Sequence, residues 1–141
     1  MTKAFFAEQF GSTMDAVGGV LRAALNALVE RGWVAPDQKF YAHLCLEEAL
    51  VNAVDHGNHC DPAKRVRLEM AEDRDVCIIR VYDEGDGFSP DEVCLPHLEQ
   101  TNGRGICLIR HCMEKVAYNN ECRCLEMHMR RQAPGRKECV Q

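Results

Sequence analysis

Between residues 65 and 83 the chain carries two strand-like segments back to back, and they limit the fold more than any other feature. Val66, Leu68 and Met70 alternate with Arg65, Arg67 and Glu69, the period-two pattern of a strand buried on one side. The polar run Glu72 to Asp75 turns the chain. Val76 to Asp83 follows as a second strand, apolar on both faces and therefore expected at the centre of a sheet. Strands joined by so tight a turn pair antiparallel. Asp83 shares the parity of Cys77, Ile79 and Val81, which puts a carboxylate on a largely apolar face, where its charge needs a partner.

Other elements arrange themselves around this hairpin. Residues 3 to 10 read as an edge strand or an arm. Ser12, with Asp15 three residues on, has the form of a helix N-cap, and Val17, Val20, Leu21, Ala24, Leu25 and Leu28 then recur at helical spacing until Gly32. A second helix is expected from about Asp37 to Asp55, closed by His56-Gly57-Asn58 and Asp61-Pro62. From Gly85 to Gly105 no period persists, a span long enough to act as a functional lid. Ile106, Ile109, Met113 and Val116 mark a third helix beginning after Gly105. Tyr118 to Asn120 turns the chain, and Leu125, Met127 and Met129 alternate with Glu126, His128 and Arg130 as a last strand. The expected fold is α+β: a two-layer α/β sandwich with a mainly antiparallel mixed sheet and helices on one face. Residues 1–131 form one domain and 132–141 a flexible tail.

Length and composition agree. A chain of 141 residues buries about 68% of its unfolded surface, enough for one core. Its net charge of −5 argues against a nucleic-acid-binding surface. No apolar run approaches the ~20 residues of a membrane span, and the N-terminus lacks a signal-peptide core, so a cytoplasmic location is expected. Nine cysteines scattered through the elements suit reduced, small core residues better than a disulfide framework.

The chemistry gathers on the second helix. Glu48, Asn52 and Asp55 fall at i, i+4 and i+7 on one face, opposite Leu46, Leu50, Ala53 and Val54. Alone this is an amphipathic helix with a solvated polar face. Two glycine-bearing segments downstream change that reading: Asp83-Glu-Gly85-Asp-Gly87-Phe88 and Asn102-Gly103-Arg104-Gly105.

Taken in order, Glu48…Asn52, Asp83-x-Gly85-x-Gly87-Phe88 and Gly103-x-Gly105 resemble the nucleotide-binding boxes of the GHKL (Bergerat-fold) ATPase and kinase superfamily. The superfamily includes gyrase, heat-shock chaperone ATPases, histidine kinases and anti-sigma-factor serine kinases. The similarity is closest to the last group, through Glu48-Ala-Leu-Val-Asn52-Ala-Val-Asp-His56-Gly57 and Gly103-Arg-Gly105-Ile-Cys-Leu-Ile-Arg110-His-Cys-Met113, and covers about residues 5 to 131. It implies ATP and magnesium as cofactors, with Asn52 giving magnesium one oxygen while waters and phosphates supply the rest. Glu48, one turn earlier, is then placed as general base, and Glu47 as a surface residue. Asp83 accepts from the adenine exocyclic amine, where guanine presents a repelling carbonyl. Gly85 and Gly87 permit positive φ and close approach of the backbone to the ring, beside Phe88. Gly103, Gly105 and the helix start at Ile106 form an anion site, with Asn102 and Arg104 touching phosphate.

The resemblance further implies a kinase that phosphorylates serine or threonine on a small antagonist protein, sequesters a sigma factor and homodimerises through its first helix and early strand. A threonine usual in the family's last strand is missing from residues 122 to 130. Two rival readings stand beside this one. One is a non-catalytic nucleotide-dependent binding module of the same fold. The other is a metal or redox protein built on His56-x-x-His59-Cys60, or on Cys122-x-Cys124 with His128, although the second Cys/His pair of a zinc finger is absent.

Overall fold

A computed structural model describes residues 2–85, 113–119 and 121–131. Strand β1 (Lys3–Gly11) leads into helix α1 (Met14–Glu30), and a 3-10 turn (Pro36–Gln38) opens helix α2 (Lys39–Asn52). The helix widens into a π turn over Ala53–Gly57 before strands β2 (Arg65–Asp73), β3 (Val76–Tyr82), β4 (Lys115–Asn119) and β5 (Cys124–Arg130). Among the described residues five strands order as β1-β2-β3-β5-β4, and their four pairings are antiparallel.

The central strand is β3, as its apolar sequence requires. Its inward side chains Cys77, Ile79 and Val81 are buried against Leu68 and Met70 of β2 and Met127 and Met129 of β5. Leu21, Leu25 and Leu28 of α1, with Leu46 and Leu50 of α2, close this core from one side. The opposite sheet face carries a charged ladder. Arg80 Nε donates to Glu126 Oε1 at 2.9 Å, His128 Nε2 lies 2.7 Å from Glu126 Oε2, and the Tyr82 hydroxyl donates to Glu69 at 3.1 Å.

Several elements differ from the sequence expectation. The α1 N-cap is Thr13, whose Oγ1 accepts from the Ala16 N–H at 3.3 Å, because β1 runs on through Gly11. Ser12 is instead fully buried and donates to the Val54 carbonyl at 3.4 Å. Helix α1 stops where expected, with Gly32 at φ 78° after the cap residue Arg31. The turn between β2 and β3 is tighter than Glu72 to Asp75: Asp73 pairs with Val76, and Arg74 at φ 56° makes the reversal. Val116 belongs to a strand, not to a third helix, and Tyr118 and Asn119 extend that strand, with 121–123 in the turn that follows. Alternation of Val116 and Tyr118 toward Met127 and Leu125 outweighs the helical spacing that Val116 shares with Ile109 and Met113. Met113, also expected in that helix, is buried but not helical, while Ile106, Ile109 and residues 86–105 of the expected lid lie outside the described residues.

Glu72 is absorbed into the fold. It accepts from the Arg31 guanidinium and, at 2.8 Å, from Trp33 Nε1, and Arg31 then Trp33 hold its carboxyl below the usual range. Arg131 lies 3.9 Å over the Trp33 ring, tying the end of β5 to the end of α1.

Candidate functional site

The site forms where α2 ends against the outgoing end of β3. Leu46, Ala49, Leu50, Ala53 and Val54 are buried, which turns the other side of α2 outward: Glu47 is exposed, and Glu48 and Asn52 are half-buried. Glu47 is thus the more exposed of the two glutamates, as expected from sequence. Asn52 Oδ1 is shielded from solvent and has no hydrogen-bond partner among the described residues. A buried amide oxygen left unmade costs about 1–3 kcal/mol, a cost that a cation ligand would offset.

After Asn52 the 100° step of an α-helix no longer applies. The π turn closes wider rings, with Asn58 N–H donating to the Ala53 carbonyl at 2.9 Å and Cys60 N–H to the Val54 carbonyl at 2.7 Å. Asp55 accordingly leaves the Glu48–Asn52 row expected from α geometry. Its carboxylate accepts from the Cys60 thiol at 3.9 Å and sits 4.0 Å from His56 Nε2. Among the described residues no three His, Cys, Asp or Glu side chains cluster as a metal centre.

The π turn delivers Gly57 to Asp83. A Cβ on Gly57 would stand 2.5 Å from Asp83 Cγ and Oδ2, and a Cβ on Gly85 would collide with the Gly57 carbonyl oxygen. Asp83 Oδ1 accepts from the Gly85 N–H at 2.8 Å. Burial pushes the Asp83 carboxyl above its usual range, opposed by the Gly85 N–H and by the charges of Arg123 and Lys64. Gly85 thus needs its missing side chain for backbone contact with Gly57; its φ is not in the positive region anticipated from sequence. Tyr118 faces the same corner: burial, then the Asp83 charge, push its hydroxyl up to about 12.

Asn58 fastens the corner. Fully buried, it donates through Nδ2 to the Arg65 carbonyl at 2.9 Å and accepts at Oδ1 from the Glu84 N–H at 2.8 Å. One side chain thereby joins the helix end to the start of β2 and to the residue after Asp83. Asn58→Ala leaves both backbone groups unpaired and is expected to cost about 2–4 kcal/mol, read from the midpoint of urea unfolding. An unchanged midpoint would show that water replaces the amide.

The structure brings Asp83 and Gly85 against Gly57 at the end of the helix that carries Glu48 and Asn52. Gly87, Phe88, Asn102, Gly103, Arg104, Gly105 and Ile106 lie outside the described residues. Gly57, Asn58 and Tyr118 were missed as site residues. The first two read as helix terminators and the third as a turn, and no local pattern in the sequence signals the contacts they make.

The two-layer α+β sandwich is the architecture of an ATPase domain of the GHKL type, a nucleotide-binding class. The chain belongs to the histidine kinase-like ATPase domain family, whose model matches residues 10–129. Comparison with curated proteins gives no match. No helix among the described residues is long and apolar enough to cross a membrane.

Proposed function

We infer that this domain binds ATP with magnesium and transfers the γ-phosphate to a serine or threonine of a small antagonist protein, regulating a sigma factor by sequestration. The observation that carries the reading is the shielded, unpartnered Oδ1 of Asn52, one turn beyond Glu48 on the helix that ends against Asp83. A hard oxygen in that position suits magnesium, which takes few protein ligands and completes its shell with water and phosphate. Magnesium neutralises phosphate charge when bound. The chain's own residues then act by position: Asp83 holds the adenine amine, and Glu48 takes the proton of the attacking hydroxyl. Asn102, Gly103, Arg104, Gly105 and the N–H groups near Ile106 are assigned to the phosphates, and Gly87 and Phe88 to the base, on the strength of the family resemblance.

A protein substrate needs a landing surface. The groove of about 490 Å³ between α1 and α2 offers one, lined by Arg22, Lys39, His43 and Glu47 around Leu25, Leu44 and the exposed Phe40. A second copy of the chain has the free edge of β1 and the neighbouring α1 as its surface, because β1 ends the sheet among the described residues.

Glu48→Ala separates a kinase from a non-catalytic binding module. Transfer of labelled phosphate to the antagonist is expected to fall about 100-fold or more while ATP affinity stays within about threefold. Asn52→Ala, titrated by calorimetry, is expected to lose the magnesium dependence of ATP binding. Full partner regulation by Glu48→Ala would sink the catalytic reading and favour the module.

A further inference from the structure

Cys122 and Cys124 play no part in the nucleotide chemistry, yet they flank the residue whose charge acts on Asp83. The sequence places both on one strand face; the structure puts Cys122 exposed in the β4–β5 turn and Cys124 buried at the first position of β5. Arg123, between them, has φ 60°. A left-handed turn residue draws its neighbours' Cα atoms to about 5.5 Å, inside the range a disulfide spans, whereas an extended residue would hold them farther apart. The turn is held by Asn119, whose carbonyl accepts from the Arg123 N–H at 2.7 Å and whose Oδ1 accepts from the N–H groups of Glu121 and Cys122 at 3.0 and 3.2 Å. Cys124 pairs across the sheet with Tyr82, the residue before Asp83.

We propose that Cys122 and Cys124 are a reversible dithiol–disulfide pair, oxidised by a peroxide, that loosens the Asp83–Gly85 corner by drawing Cys124 out of its seat opposite Tyr82. The exposed Cys122, as thiolate, attacks one peroxide oxygen; the O–O bond breaks, water leaves after protonation, and Cys122 becomes a sulfenic acid. The Cys124 sulfur then attacks the Cys122 sulfur, the S–O bond breaks, and the departing hydroxide takes the Cys124 proton as a second water. Two thiols are oxidised by two electrons and one peroxide is reduced to two waters. Burial pushes the Cys124 thiol up to about 11, so it attacks as the protonated thiol. A thiol reductant reverses it. The pull on Cys124 reaches Asp83 by two routes, through Tyr82 along β3 and through the Arg123 charge.

The full chain, with nine cysteines, is treated with one equivalent of hydrogen peroxide, blocked with N-ethylmaleimide and mapped by mass spectrometry. The expected product is a peptide about 2 Da lighter, with Cys122 joined to Cys124, restored by dithiothreitol and absent from Cys122→Ser. Amide hydrogen exchange without nucleotide is expected to quicken about fivefold or more at Gly85 on oxidation, as its bond to Asp83 opens more often. On the ATP-binding reading, affinity weakens about fivefold in parallel. A disulfide elsewhere, or sulfinic acid at Cys122 beside a free Cys124, overturns the pair. Unchanged exchange at Gly85 overturns its link to the corner. Because exchange is read without nucleotide, a reduced chain that binds no ATP defeats the nucleotide reading alone.

Discussion

Asp83→Asn is expected to weaken ATP binding about 100-fold while leaving the melting temperature unchanged or slightly raised. The structure gives the reason. The Gly85 N–H already occupies Oδ1, so an asparagine here turns its oxygen to Gly85 and its NH2 to the position of the second carboxylate oxygen. A donor then meets the adenine amine, itself a donor. Losing a charge-assisted bond and leaving a donor unpaired together cost about 2–4 kcal/mol. Folding is spared because the substitution removes a charge that burial penalises. The pH dependence has a definite sign. A carboxyl raised by burial takes up a proton more readily in the folded chain, so its ionisation costs stability as pH rises through the raised pKa. The ligand needs the ionised form, and ATP affinity should therefore fall as pH drops through that pKa. Calorimetric titration across the acid range checks both statements: the wild type should lose affinity on acidification and release a proton from Asp83 on binding as the pH nears that pKa, and the variant should show no such step. Equal ATP binding by wild type and variant would remove Asp83 from the site.

Gly85→Ala is expected to be the most damaging single methyl in the described part of the molecule. Its Cβ would meet the backbone carbonyl of Gly57, and a backbone atom at the end of a packed helix cannot rotate away. Overpacking of this kind costs about 1–3 kcal/mol, and more where the neighbour is fixed. Gly57→Ala meets the Asp83 side chain instead, 2.5 Å from Cγ and Oδ2. Relief comes by turning Asp83 away, so this variant should lose less stability and more ATP affinity than its partner. Thermal unfolding beside ATP titration of both variants separates the two effects. If both unfold and bind as wild type does, the corner is looser than the geometry makes it.

Much of the sheet was legible because strand chemistry is local. Alternation at Val66 to Met70 and at Leu125 to Met129 specifies buried faces without reference to the rest of the chain, and both strands formed with those faces inward. The central place of β3 followed from Val76 and Ile78, apolar even on the outward side. Helix α1 was fixed by its apolar spacing and Gly32. Its cap was misplaced by one residue, since Ser12 and Thr13 are both good caps and only the run of β1 through Gly11 chooses between them. Met113 and Val116 misled because apolar residues three apart fit a helix, while one further pairing partner, Met127, commits Val116 to a strand.

The sequence by itself determined the α+β class and the central strand, because residue type and spacing along single elements encode these, and it singled out Glu48, Asn52 and Asp83 as the candidate set. Only the tertiary structure decided how the set is held. The π turn after Asn52 sets the course of the helix end, and the contact of Gly57 with Asp83 and Gly85 and the hydrogen bond of Asn58 to Glu84 then join residues far apart in the chain. Nothing in a local pattern distinguishes a glycine that ends a helix from one that makes room for a carboxylate twenty-six residues later. That distinction arises from steric exclusion between packed elements, and it exists only once they meet.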